Sequence, residues 1–414
     1  MQIDLIIDNI KELVAVSVRG TPLFGKQMHN IDILSHQAIA INKGRFLQIG
    51  SPEEINAFYQ ADTHIDAKGK VVTPGFVDPH THPIFMHTRE NEFEMRIMGK
   101  SYVEISQAGG GIRSTLKTTG NASESELYAL AKLRIEKMIT QGTTTLEAKS
   151  GYGLTTESEL KQLRVIKQLA DTMPVDIVPT FMGAHEFPEE YKQNHAAYID
   201  ILCHEMLPAV SEQGIARYCD IFTEAHVYSI AESRKVLSRA KELGLKLKMH
   251  ADEIEPMGGA ELASELNCIS ADHLGKTSAQ GIEAMQKAGV IPVLLPATLF
   301  SLGSKTYAPA REMINAGLPV ALATDYNPGS CNCDSMSLVI TLACLVMKMT
   351  PAEAIAAATI NAAAAINLED EVGSVTVGKK ADLLIWDIPS YKFIPYHFGS
   401  SYLETVIKAG KVFK

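Results

Sequence analysis

The sequence predicts an α/β chain: a TIM-like (β/α)8 barrel joined to a small β-sandwich built from both chain ends. Three observations predict it. Short, apolar, β-rich runs alternate with amphipathic helical stretches through the middle of the chain. The two ends instead carry strand-and-turn patterns. Histidine or aspartate closes most of the apolar runs, and in a barrel of parallel strands the C-terminal strand ends share one mouth. The expected division is 1–70 plus 370–414 for the β-sandwich and 71–369 for the barrel.

At the N-terminal end, DLIIDNI, QAIAINKGRFLQIG and THIDAKGKVVTPG read as short strands between Gly, Asn and Asp breaks. GSVTVGKKADLLIWD and YLETVIKAGKVF read the same way at the other end. Chain termini often lie close together, so the two sets are expected to pair. The barrel runs are VVTPGFVDPHTH, TTTLEAKS, VDIVPTFMGAH, CDIFTEAH, LKLKMHADE, CISADHL, VIPVLLPAT and LPVALATDYNPGS. Their near-continuous hydrophobicity is that of strands buried on both faces. SELYALAKLRIEKMITQG and ESRKVLSRAKELG read as intervening helices, each stopped by a glycine. The alanine run at 354–365 reads as a helix.

Composition narrows the functional classes. A net charge of -10 over 414 residues repels nucleic acid and anionic membranes, so an anionic small substrate needs a local basic group. Six cysteines without a regular framework fit a reducing cytoplasm. The N-terminal stretch carries Asp4, Asp8 and Glu12 inside its apolar pattern, which argues against a signal peptide. No apolar run reaches the length of a membrane span.

The chemistry starts at FVDPHTHP. Strand side chains repeat every two residues, so His80 and His82 lie on one face and can reach one ion. Alone, such a pair is equally a polar strand edge. His250 and Asp325 at other strand ends change that reading: three imidazoles and one carboxylate suit Zn²⁺ or Fe²⁺ and leave a position for water. A metal of this kind brings the pKa of its water toward neutrality. In HADE, Glu253 follows His250 by three positions and can move a proton, unless it is an ordinary glutamate of a helix-starting turn. His273 can hydrogen-bond the attacking water or polarise a carbonyl, or be a core histidine held by a backbone carbonyl.

Other features carry less. CNC, at Cys331 and Cys333, has no second cysteine pair to complete a sulfur site and reads as structural. The fourth run ends with Glu224 and His226 but offers no lysine to bridge a second metal. Lys149 follows the second run, where a salt bridge or substrate contact is the simpler account. One metal is expected. AGGGIRST (108–115) lacks the GK[ST] ending of a phosphate loop and reads as a flexible loop at the site. Arg89, in HTREN, can clamp a carboxylate through its fork of donors. Tyr152 stands between glycines after the second strand end.

PGFVDPHTH, KMHADE, SADH, ATDYNPGS and the closing GKKADLLIWD together resemble the amidohydrolase superfamily over nearly the whole chain. HTRENEFEMRIMGKSYVEI, AGGGIRST, EAKSGYGL and FMGAHEFPEEY resemble, more narrowly, the imidazolonepropionase family. That resemblance implies hydrolysis of 4-imidazolone-5-propanoate to N-formimino-L-glutamate, a step of histidine degradation. It implies one Zn²⁺ or Fe²⁺/Fe³⁺ per chain on His80, His82, His250 and Asp325. It implies substrate contacts at Arg89, Tyr152, His185, Glu253 and Ser330, and product contacts at Tyr152, Asn327 and Gly329. It also implies a homodimer. In the mechanism expected from it, His273 stabilises the oxyanion and Glu253 or Asp325 shuttles the proton. The alternative is a ring aminohydrolase with the same metal set, from which Arg89 discriminates because a nucleobase has no propionate.

Overall fold

A computed structural model of the chain describes residues 1–100, 104 and 110–414. Eight strands follow one another in parallel register: β6 (Phe76–Asp78), β7 (Thr143–Lys149), β8 (Asp176–Ala184), β9 (Tyr218–Thr223), β10 (Lys246–Ala251), β11 (Ser270–His273), β12 (Ile291–Leu294) and β13 (Ala321–Leu322). All eight predicted runs are present. Beyond β6 and β13, Thr81 and Tyr326 pair in parallel, and the N–H of Thr324 donates to Asp78 Oδ1 at 3.1 Å. These contacts bring the first strand against the last and close the barrel.

The predicted helices Glu124–Thr140 and Ile230–Glu242 cover the strands. Each starts at a serine whose hydroxyl accepts the N3 amide while the N3 glutamate reaches back, which satisfies amides that a helix start leaves free. The alanine run departs from expectation. It forms two helices, Pro351–Ala357 and Ile360–Ala364, broken at Thr359. The Thr359 hydroxyl donates to the Ile355 carbonyl at 2.6 Å, a local bond that competes with helix continuation.

The chain ends form a mixed sheet of eight strands. Its N-terminal members are β1 (Gln2–Val16), β2 (Asp32–Leu34), β3 (Gln37–Asn42), β4 (Arg45–Gly50) and β5 (Gln60–Pro74). Its C-terminal members are β14 (Leu383–Trp386), β15 (Leu403–Lys408) and β16 (Lys411–Val412). β1 and β5 are longer than the short strands expected and bend at register shifts. One face buries Leu5, Ile39, Val72, Leu383 and Ile407. The other buries Ile3, Ile6, Ala38 and Ile55.

Only Gly75 separates β5 from β6. A Cβ there would lie 2.1 Å from Thr144 Oγ1, so the passage between the sheets accepts no side chain. At the foot of the barrel, Asp176 accepts from Lys380 at 2.8 Å and Lys408 at 2.6 Å, both carried by the C-terminal segment. No helix of the described residues is long and apolar enough to cross a membrane.

Candidate metal centre and substrate cavity

His80 and His82 follow β6, and their Nε2 atoms lie 3.3 Å apart. Each is 3.6 Å from Asp325 Oδ1. Two donor atoms about 2.0–2.1 Å from one tetrahedral ion stand roughly 3.3–3.4 Å apart, so this spacing fits a shared cation. Donor atoms of His80, His82 and Asp325 lie within 4.8 Å of one another, as do those of His80, His250 and His273. The four expected ligands therefore meet around His80, and His273 adds a further donor. His82 Nδ1 and His273 Nε2 are buried without a hydrogen-bond partner among the described residues. Burial, then Lys149 and the surrounding imidazoles, holds His80 well below the ordinary imidazole range. Burial, then His185, does the same for His82. Neutral rings keep the lone pairs that a metal requires.

Beneath these side chains lies a layer of buried ions. Asp272 Oδ2 is 2.6 Å from His80 Nδ1, and Asp220 Oδ1 is 3.1 Å from His250 Nδ1. Each contact leaves the ring's Nε2 for the centre, the arrangement that orients histidine ligands. Lys149 Nζ sits 2.7 Å from both Glu147 and Asp220, with all three fully buried. Lys248 donates to the Pro79 carbonyl at 3.0 Å and lies 3.6 Å from Asp272. Of the two roles weighed for Lys149, the structure gives it the salt bridge.

Apart from Lys149, these supporting residues were not singled out from the sequence. Their signal was present: a charged residue inside a strand buried on both faces must find a partner there. TLEAK contributes Glu147 and Lys149, CDIF Asp220, LKLKMH Lys248 and SADH Asp272.

A cavity of about 420 Å³ opens over the cluster, lined by His82, His250, His273 and Asp325 together with Arg89, Tyr152, His185, Glu253, Asn327, Gly329 and Ser330. His80, buried beneath, does not line it. His185 stacks on His82 at 5.1 Å between centroids and holds the Gly151 carbonyl at 3.0 Å. Burial, then His250, lowers its pKa to about 3. Tyr152 is buried against the same rings, and burial pushes its hydroxyl pKa up.

In HADE the two carboxylates divide the work. Asp252 accepts four backbone amides, from Met257, Gly258, Gly259 and Ala260, and fixes the loop. Glu253 faces the cavity with Oε2 3.5 Å from His273 Nδ1. Burial, then Asp325 and Glu224, pushes its carboxyl up to about 8. His273 is thus not held by a backbone carbonyl. Its backbone sits at φ 75, and that of Asp325 at φ 55, in the left-handed region that side-chain-bearing residues seldom adopt.

On the far side of Asp325, Oδ2 accepts from Thr298 Oγ1 at 2.7 Å. Burial raises the Asp325 carboxyl to about 6 against that bond. Asn327 builds the following loop: its Oδ1 accepts the amides of Gly329 and Ser330, and its Nδ2 donates to Ser330 Oγ, all at 2.8 Å.

Arg89 donates from Nε and Nη2 to Glu92 at 2.9 and 2.7 Å. Glu92 in turn accepts the Gly111 amide at 2.8 Å. Ala108 and Gly109 of the glycine-rich stretch lie outside the described residues; from Ile112 it is helix, to Asn121. Glu224 is spent on the amides of Ile254 and Glu255, and His226 is exposed. All six cysteines are free, and neither Cys331 nor Cys333 belongs to a ligand cluster of the described residues.

The family model of the amidohydrolases matches residues 71–413. An imidazolonepropionase of Alkaliphilus oremlandii is 49% identical over 415 residues, covering 100% of this chain and 98% of its own. Those of Geobacillus kaustophilus and Fusobacterium nucleatum are 49% and 48% identical over 97% and 100% of their lengths, covering 99% and 100% of this chain. The chain belongs to the imidazolonepropionase family of amidohydrolases. Its imidazolonepropionase-type barrel also resembles more distant enzymes. A zinc-bound adenosine deaminase of Xanthomonas campestris superposes with a TM-score of 0.73 at 18% identity, over 99% of this chain and 93% of its own. The guanine deaminase of E. coli superposes with a TM-score of 0.69 at 14% identity, over 99% of each chain. At those identities the likeness is one of fold.

Proposed function

We propose that this chain hydrolyses the ring C–N bond of 4-imidazolone-5-propanoate, giving N-formimino-L-glutamate. One observation carries the reading: a single cavity is lined by the imidazole–carboxylate cluster and by the guanidinium of Arg89. A small ring that bears a carboxylate can meet both at once, and a bare nucleobase cannot.

His80, His82, His250 and Asp325 are proposed to hold one divalent ion, with Zn²⁺ and Fe²⁺ both suited to three imidazoles and a carboxylate. When bound, the ion would supply an acidified water and Lewis-acid stabilisation. The chain's own groups do the rest. Tyr152 and His185 border the ring, and Arg89 takes the propionate side. Glu253 or Asp325 accepts the proton of the attacking water and returns it to the ring nitrogen as the C–N bond breaks. His273 Nε2, buried without a partner, donates to the developing oxyanion. The six free thiols support action in the cytoplasm, and the family likeness supports a homodimer.

The test is product identity. N-formimino-L-glutamate, identified by mass, is expected from 4-imidazolone-5-propanoate, with no ammonia released from guanine, cytosine or adenosine. Ammonia from a nucleobase, without turnover of the imidazolone, makes the chain a ring aminohydrolase.

A further inference from the structure

We propose that Arg96 is a specificity-determining residue, whose guanidinium binds the substrate's carboxylate beside Arg89. This rests on the imidazolone reading of the same cavity and adds a residue to it.

Arg89 alone is poorly placed for the task. Its Nε–Nη2 edge, the face that grips a carboxylate in a two-pronged bond, is already on Glu92. Its Nη1 packs on Gly329, where a Cβ would lie only 2.3 Å away. A second carboxylate can approach Arg89 only at what remains of the fork.

Arg96 is differently placed. It lies in the helix Glu90–Ile97, four residues beyond Glu92 and so on the same face. It lines the cavity with Arg89 and Glu92. Its Nη2 donates to the Gly329 carbonyl at 3.2 Å, a neutral acceptor. Among the described residues no carboxylate oxygen lies within 4.0 Å of it. Burial and the nearby Arg89 charge press its guanidinium toward losing its proton, with Glu92 offsetting only part. A guanidinium holds its charge regardless, so that cost stands until an anion arrives to offset it.

The charge balance at the rim points the same way. Between them, Arg89 and Arg96 have one carboxylate within ion-pair distance among the described residues, Glu92 on Arg89, which leaves one positive charge over on that side; the cavity's other carboxylates, Glu186, Glu253 and Asp325, pair with neither. The other cation lining that side, Lys100, is 2.9 Å from Glu104. One surplus charge matches one propionate, inside a chain whose net charge is -10. Nothing in the helix Glu90–Ile97 is buried, so polar bonds such as Arg96 to Gly329 hold it over the cavity. The same side chain therefore reaches the wall that the substrate must touch.

The experiment compares wild type, Arg96→Gln and Arg96→Lys, each full-length and metal-loaded. The substrates are 4-imidazolone-5-propanoate and its uncharged propanamide. Arg96→Gln is expected to raise KM for the acid at least about tenfold, the scale of one charge-assisted contact. Its kcat is expected to stay within about threefold, and its KM for the amide to change little. Arg96→Lys is expected to recover part of the loss. Equal losses on acid and amide make Arg96 a prop for the Gly329 loop and overturn the proposal. So does an unchanged preference for the acid. Failure of the wild type itself on the acid overturns the imidazolone reading, and the assignment with it, which the variant comparison alone does not do.

Discussion

Asp272 Oδ2 stands 2.6 Å from His80 Nδ1, with both side chains shut away from solvent. This contact fixes which ring nitrogen of His80 faces the cluster. Replacing Asp272 by Asn is expected to weaken Zn²⁺ binding about 10- to 100-fold, the usual effect of losing such a partner. Chelator competition on the folded protein measures it directly. Unchanged affinity would mean that His80 is oriented by packing alone.

Glu253 touches neither His80 nor His82 and is one of the two carboxylates proposed to carry the proton. Glu253→Gln keeps the shape and removes the acid–base function. A drop in kcat of about a hundredfold or more is expected, with metal content unaltered. Near-normal turnover in steady-state kinetics would pass the role to Asp325.

Gly329 leaves room for Arg89, whose Nη1 would meet a Cβ at 2.3 Å. Gly329→Ala must push the guanidinium aside or shift the loop built by Asn327. A rise in KM of about tenfold is expected, with a smaller change in kcat, because the contact serves binding more than bond breaking. A kcat loss with constant KM would place the loop in the chemical step instead.

Asp176 ties the barrel to the C-terminal strands through Lys408 and Lys380. Burial raises its carboxyl pKa, but Lys408 and then Lys380 outweigh burial and hold it below the ordinary value. A carboxyl lowered in the folded state contributes stability above its unfolded pKa and loses it as pH falls through the folded one. Asp176→Asn is therefore expected to cost about 1–3 kcal/mol near pH 7, between an exposed and a buried pair. The difference from wild type should shrink below about pH 4. Urea melts at several pH values check it; a cost constant with pH would assign the effect to packing.

Much of this was legible in the sequence. Eight apolar runs declare buried strands, and a histidine or aspartate at the end of most of them stands out. His80, His82, His250, His273 and Asp325 were found in that way. Asp220, Asp272, Glu147 and Lys248 were harder, because a charge within an apolar run reads as a residue facing out until its cross-barrel partner is known. Arg96 was missed for another reason: its helix buries nothing, so no periodicity marks the face it turns to the cavity. The break in the alanine run at Thr359 depends on a side-chain bond to Ile355, which composition does not reveal.

The most direct measurement is turnover of 4-imidazolone-5-propanoate by the purified, metal-analysed protein. Loss of the substrate's ultraviolet absorbance is followed before and after chelation. The expected result is hydrolysis well above the spontaneous rate, about one metal per chain, loss of activity with the metal and recovery when Zn²⁺ or Fe²⁺ is restored. A metal-loaded protein with no turnover would contradict the substrate. A protein that turns over unchanged without metal would contradict the role given to His80, His82, His250 and Asp325.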